Sequence, residues 1–228
     1  MNPVHPDSMG DTLDALNSVF LLGCKLDRAE RERTARWIAG RQGLPGAYAG
    51  MPAPTPQDFE AGLTTFTGEK LRSRGGAAHI LGEEACRALI LLRVRLPEVR
   101  SALVRATAGI EQRLADIERS GKPAGMYCCG ICTCAYWRHL AAGGPSRNEE
   151  RRAAGMKALR AHRLDTGRWR RFPFFYTLLA LIEIAPDLAG SELRHAAPVC
   201  ERYVRTRLAD TRYAMRRRWI AQRVLALA

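Results

Sequence analysis

The sequence has no uninterrupted apolar run of about 18 residues, the length that a helix needs to cross a bilayer. Its most apolar stretches, residues 88–92 and 172–185, are flanked or interrupted by arginine or glutamate. The first ten residues, MNPVHPDSMG, show no basic start followed by an apolar run, so we expect neither a secretory nor a transit peptide. Both absences favour a cytoplasmic protein without a transmembrane segment.

Several nucleotide-binding and hydrolytic motifs are also missing. The chain contains no phosphate-binding P-loop of the form G-x-x-x-x-G-K-S/T and no glycine-rich dinucleotide fingerprint. It has no H-E-x-x-H zinc motif and no G-x-S-x-G nucleophile elbow. The reaction classes that depend on those motifs receive no support from the sequence.

Lysine is scarce, although the chain is strongly basic. The 228 residues include 36 Lys and Arg against 23 Asp and Glu, a net charge of +13, and only four of the cations are lysine. Residues 121–228 carry 20 basic and 8 acidic groups, which gives +12, so nearly all of the excess lies in the second half. This distribution indicates an anionic ligand or a nucleic acid as a binding partner. A genome of high GC content, which favours arginine codons at surface positions, explains it equally well.

Helical periodicity dominates the chain, and no run alternates strictly in the way of a half-buried strand. We therefore predict a single all-α domain over residues 1–228, with a proline- and glycine-rich ordered loop or linker at residues 43–56. The predicted helices span residues 12–22, 28–41, 57–66, 77–95, 98–120, 128–141, 148–162, 174–184, 191–207 and 210–227.

Four of the seven cysteines lie within seven residues: Cys128, Cys129, Cys132 and Cys134. A total of seven thiols, an odd number, with four of them so close together, is unlike a secreted disulfide framework. With His139 shortly after them, they form a candidate metal site for zinc or an iron–sulfur centre, because soft sulfur ligands favour those ions. Two alternatives stay open: the thiols are small buried hydrophobic groups, or one of them is reactive.

Two internal similarities indicate helical-hairpin repeats. A shift of 121 residues aligns WIAGRQGLPGAY, which ends at Tyr48, with ALRAHRLDTGRW, which ends at Trp169. A shift of 49 residues aligns the helices that follow Gly76 and Gly125, and it places His79 opposite Cys128. A thiol beside an imidazole at a helix start is a candidate catalytic pair, and Glu83, four residues after His79, lies on the same helix face and could orient it.

The units ending at Tyr48 and Trp169 resemble the Q…G-x-W repeats of the terpenoid cyclase and protein prenyltransferase superfamily. That resemblance implies a partial α/α toroid, in which the starts of the inner helices line a central cavity. The acidic D-x-D-D and D-D-x-x-D motifs are absent, so the resemblance implies the fold rather than cyclase chemistry.

If the hairpins curve into a ring, their starts converge on one cavity. The candidate ligand-binding residues at these starts are Tyr48, Arg72, Arg74, Tyr127, Arg168, Trp169, Arg171 and Tyr176. We therefore expect a toroid-like protein whose cavity takes an anionic or apolar small molecule. The alternatives are a basic nucleic-acid-binding protein of DNA-repair type and a non-catalytic interaction scaffold.

Overall fold

The computed structural model of the protein describes residues 2–207 and 209–228 and confirms an all-α fold. Within these residues there are ten helices and one two-stranded hairpin. The helices are α1 (Met9–Leu22), α2 (Arg28–Ala39), α3 (Pro56–Ala61), α4 (Arg74–Leu92), α5 (Pro97–Arg119), α6 (Gly130–Ala141), α7 (Asn148–Arg160), α8 (Phe174–Leu181), α9 (Pro186–Arg205) and α10 (Arg212–Leu227). None of the described helices is both long and apolar enough to span a bilayer.

The helices differ from the predicted ones mainly at their ends. Helix α3 stops at residue 61 because Gly62 adopts a left-handed φ of 75°, which ends the helical path. Helix α9 begins five residues earlier than predicted, with Pro186 in its first turn, where a missing N–H costs nothing. Residues 163–169, which lie between the predicted helices at 148–162 and 174–184, form the hairpin of β1 (Arg163–Leu164) and β2 (Arg168–Trp169).

Helices α4 and α6 occupy the centre of the molecule. Helix α4 packs against α1, α2, α5 and α6, and α6 packs in turn against α7 and α8. Every residue of α4 from Ala77 to Leu89 is buried, and so is every residue of α6 from Cys132 to Leu140. These two neighbouring helices therefore carry polar side chains into the interior, where each polar group needs a partner.

One such group of partners is an ion network between α4, α6 and the segment after α8. The guanidinium of Arg138, fully buried, contacts the carboxylates of Glu84 and Glu183 and donates to Asn17 at 2.8 Å. The guanidinium of Arg87 lies 2.6 Å from Glu183 and also donates to Asn17. Two arginines thus face two glutamates, which leaves the buried network electrically balanced.

Asp58 of α3 fixes the start of α1. Its carboxylate accepts hydrogen bonds from the Met9 and Gly10 amides, each at 3.0 Å, and from the Ser8 hydroxyl at 2.8 Å. Free amides at a helix start require acceptors, and a carboxylate there also interacts favourably with the helix dipole. Helix α3 is thereby fixed to the start of α1.

Replacing Asp58 with alanine is expected to lower the free energy of unfolding by about 1–2 kcal/mol, because the capped amides lose their acceptor. For a chain of this size that corresponds to a fall in Tm of roughly 2–8 °C, which thermal unfolding followed by circular dichroism would measure. Asp187→Ala, at an exposed position in the first turn of α9, serves as the control. An equal fall in both variants would contradict the capping role.

Candidate metal centre

His79 and two cysteines meet where α4 and α6 begin. The donor atoms of His79, Cys128 and Cys132 all lie within 4.8 Å of one another. His79 belongs to the second turn of α4, Cys132 to the first turn of α6, and Cys128 to the segment just before α6. Because the two helices are packed neighbours, their starts bring together residues 49 and more positions apart in the chain.

A third thiol adjoins this group. The Sγ atoms of Cys128 and Cys129 are 3.9 Å apart, close to the ~3.8 Å edge of a tetrahedron of sulfur atoms around zinc. Cys129 is the N-cap of α6, and the first turn of that helix contains no acidic residue. Hydrogen bonds from the Cys128 and Cys132 thiols lower the pKa of Cys129, while contacts with Cys128 and Cys129 raise the pKa of Cys132. The cluster therefore favours a thiolate at Cys129.

Glu83 orients the imidazole of His79. One carboxylate oxygen lies 3.1 Å from His79 Nε2, and the other lies 2.6 Å from His139 Nδ1. An ionised carboxylate can only accept, so Nε2 of His79 carries a proton, and in the neutral imidazole Nδ1 then keeps a free lone pair. This is the carboxylate–histidine arrangement that accompanies metal-bound histidine in many proteins.

The charge on Glu83 is held by its two histidine partners. Complete burial on its own raises the pKa of this carboxyl group, but the hydrogen bonds from His139 and His79 outweigh it and lower the pKa to about 2. Glu83 is therefore an anion in the protein interior at neutral pH. The other ring nitrogen of His139, Nε2, is buried and has no hydrogen-bond partner within the described structure.

Two neighbouring tyrosine rings pack against the His79 ring. The ring centroid of His79 is 4.6 Å from that of Tyr48 and 4.0 Å from that of Tyr127. The two tyrosine hydroxyls share a hydrogen bond of 2.9 Å, and Arg113 donates to the Tyr48 hydroxyl at 3.1 Å. Burial and this hydroxyl pair raise the pKa of Tyr127, so it stays neutral. The imidazole is thus fixed in both plane and tautomer.

The three donor residues open into a pocket of about 480 Å³. Its wall combines apolar side chains, cations and the start of α4. The lining residues are Tyr48, Lys70, Leu71, Arg72, Ser73, Gly75, Gly76, His79, Ile80, Arg113, Cys128, Cys129, Ile131 and Cys132. This volume lies within the range of small-molecule sites in proteins.

The structure brings some predicted metal ligands together and leaves others apart. Cys134 is fully buried, and its thiol lies 3.4 Å from the Thr177 hydroxyl, on a different side of α6 from Cys132. Two positions along a helix turn a side chain by about 200°, which explains the separation. His139 also stays outside the group formed by His79, Cys128 and Cys132, and its Nδ1 is bonded to the second carboxylate oxygen of Glu83.

The predicted ligand-binding residues divide in the same way. Tyr48 and Arg72 line the pocket, and Tyr127 lies behind His79. The other five make contacts elsewhere in the fold. The guanidinium groups of Arg74 and Arg168 lie over the rings of Phe59 and Phe174, and the backbone of Arg171 contacts α6. Trp169 donates a hydrogen bond to Glu192 at 2.9 Å, and Tyr176 donates one to Glu84 at 2.7 Å. The Arg168–Tyr176 segment therefore does not supply the pocket with side chains.

That segment nevertheless borders the cysteine cluster through its backbone. A Cβ atom at Gly130 would lie 2.2 Å from the carbonyl oxygen of Arg171, so only glycine fits at the first position of α6. Arg171 itself has a left-handed φ of 68°. The close approach of the two backbones fixes where α6 begins, next to Cys129.

Sequence reasoning missed Arg113 and Lys70 as pocket residues. Arg113 reaches the pocket from α5 through a contact with a residue 65 positions away, and no local pattern marks it. No protein-family model, curated protein or solved structure matches the chain. The fold and the site together define an all-α protein with a candidate histidine–cysteine metal centre.

Proposed function

We propose that the protein binds zinc through His79, Cys128 and Cys132 and uses the ion to activate water against a substrate in the adjoining pocket. The observation that carries this proposal is the convergence of three donor atoms within 4.8 Å at the wall of an open pocket. Zinc accepts thiolate and imidazole ligands together, and a catalytic site typically has three protein ligands and one open position. In such a site the pKa of the bound water falls to about 7.

The surroundings of the three ligands support a metal rather than a bare thiol pair. Glu83 holds His79 with Nδ1 free, and such outer carboxylates commonly fix the tautomer of a ligating histidine. The positive end of the α6 dipole favours thiolates, which are the form that binds metal. The meeting of the α4 and α6 starts at one pocket also agrees with the toroid-like arrangement of inner helices, which we retain as a proposal.

A metal-free thiol nucleophile is the second candidate. It is favoured by Cys129, which is exposed at the helix start and has a pKa lowered by its sulfur neighbours. In this alternative His79 assists Cys128 or Cys129 directly. The two candidates differ in one measurable property, the metal content of the purified protein.

Metal analysis of the full-length protein tests the proposal. We expect about one zinc per chain after purification under reducing conditions, and a thiolate-to-metal charge-transfer absorption after cobalt substitution. Cys132→Ser is expected to weaken zinc binding at least about 100-fold in a chelator competition, since it removes one of three ligands. Cys134→Ser, a buried cysteine of the same helix facing Thr177, is the matched control.

Two outcomes would contradict the zinc proposal: a wild-type protein that takes up no zinc or cobalt, or equal losses in the Cys132 and Cys134 variants. A third variant, Cys129→Ser, separates an open site from a closed one. With the open site that we propose, it retains zinc within about tenfold, whereas a structural centre of four ligands would lose it as Cys132→Ser does.

A further inference from the structure

Among the described residues, the pocket beside the candidate metal centre is lined by cations and by no carboxylate. Lys70, Arg72 and Arg113 lie in its wall. In the described part of the chain, no acidic side chain forms an ion pair with any of the three, although many other arginines of the protein are paired. The cluster therefore leaves positive charge uncompensated around a cavity.

The acidic neighbours of Arg113 on α5 are engaged elsewhere. Glu111 and Glu118 both bind the guanidinium of Arg151, at 2.9 and 3.2 Å, and Asp116 contacts Arg119. Arg113 instead donates through Nε to the hydroxyl of Tyr48. Its guanidinium is exposed and also interacts with the Tyr127 hydroxyl, and the N–H groups that it does not use there can donate to a ligand in the pocket that Tyr48 and Arg113 line together.

The floor of the same pocket is apolar. Leu71, Ile80 and Ile131 line it, and the Tyr48 ring forms part of the wall. Two helix starts, those of α4 and α6, also face this space, and neither has an acidic residue in its first turn. A ligand that combines an apolar body with one negative group would satisfy both parts of the wall.

We propose that the pocket takes small molecules with an aromatic or apolar body and one anionic group, a phosphate or a carboxylate, bound by Arg72 and Arg113. The body then lies against Tyr48 and Ile80, beside His79 and Cys128. This inference rests on the proposed function for the reaction that follows binding, whereas the recognition of the anion depends on the arginines alone.

A series of aromatic probes of different charge tests the inference on the zinc-loaded full chain. The probes are phenyl phosphate, benzyl alcohol and benzylamine, titrated by calorimetry or ligand-observed NMR. Phenyl phosphate is expected to bind at least about tenfold more tightly than the neutral alcohol and to weaken as salt rises, and the amine is expected not to bind. Arg113→Ala is expected to weaken phenyl phosphate binding about tenfold, because it removes a charge-assisted hydrogen bond.

Arg100→Ala is the matched control, since it removes the same charge from an exposed position of the same helix, roughly 20 Å from Arg113. It should change the Kd of phenyl phosphate less than twofold. Equal effects of the two substitutions, or no preference for the anionic probe, would overturn the inference.

Repeating the titration on zinc-free protein separates the two proposals. Arginine-dependent binding without zinc upholds the proposed ligand class even where the metal centre fails. Zinc uptake without arginine-dependent binding overturns the proposed ligand class alone.

Discussion

Replacing Arg138 with methionine is expected to lower the free energy of unfolding by about 3–5 kcal/mol, because it removes one of the two cations that the buried carboxylate of Glu84 and the mostly buried carboxylate of Glu183 share. The side chain of Arg138 is completely buried and contacts Glu84, Glu183 and Asn17. Methionine approximates the length of the arginine side chain without its charge. The charge of Arg87 alone cannot neutralise both glutamates, so the network becomes a buried net negative charge.

Equilibrium unfolding in urea or guanidinium chloride would measure this loss. The control is Arg119→Met, which breaks an exposed ion pair with Asp116 and should cost less than about 1 kcal/mol. Similar costs for the two substitutions would show that the Arg138 network is not needed for stability. Arg138→Met combined with Glu183→Gln removes one charge of each sign, and it is expected to recover part of the stability because the charge balance returns.

Replacing Glu83 with glutamine is expected to lower the free energy of unfolding by about 3 kcal/mol at neutral pH and to change how that free energy depends on pH. The folded protein lowers the pKa of Glu83 from 4.5 to about 2, and a difference of that size corresponds to about 3 kcal/mol. Because the folded pKa is the lower one, this stabilisation is fully present above pH 4.5 and is lost as the pH falls towards 2. The wild type and Glu83→Gln should therefore converge in stability across that window.

The measurement is the free energy of unfolding between pH 2.5 and 7 in the presence of a metal chelator, so that metal release does not contribute. The groups that face Glu83 are His79 on its own helix and His139 on α6, and both remain in the variant. An exposed glutamate, Glu201→Gln, should follow the wild-type curve. A constant gap between wild type and Glu83→Gln at all pH values would contradict the stabilising role of the Glu83 charge.

The sequence predicted the helices well and the long-range contacts only where a repeat revealed them. Apolar residues at helical spacing mark ten helices, and the structure has ten in the described residues. The 49-residue similarity placed His79 opposite Cys128, and the donor atoms of these residues lie within 4.8 Å. The hairpin of residues 163–169 escaped prediction because strands of two residues leave no alternating pattern.

Other parts of the site depend on packing that no local pattern encodes. Cys134 looks like a ligand by its spacing, but its rotation around α6 directs it to Thr177. The pairing of Arg138 with Glu183 joins residues 45 positions apart, and that of Arg113 with Tyr48 joins residues 65 positions apart. Such contacts follow from how helices meet, which the sequence of one helix does not reveal.

The Arg168–Tyr176 segment influences the cysteine cluster through the contact between Gly130 and the Arg171 carbonyl. With its backbone atoms, this segment blocks the space in front of Gly130 and so sets the starting point of α6. The side chain at position 171 is therefore open to replacement, and glycine in particular would suit the left-handed φ of 68°. A β-branched residue at the same position would disfavour that backbone shape and would displace three thiols without touching any of them.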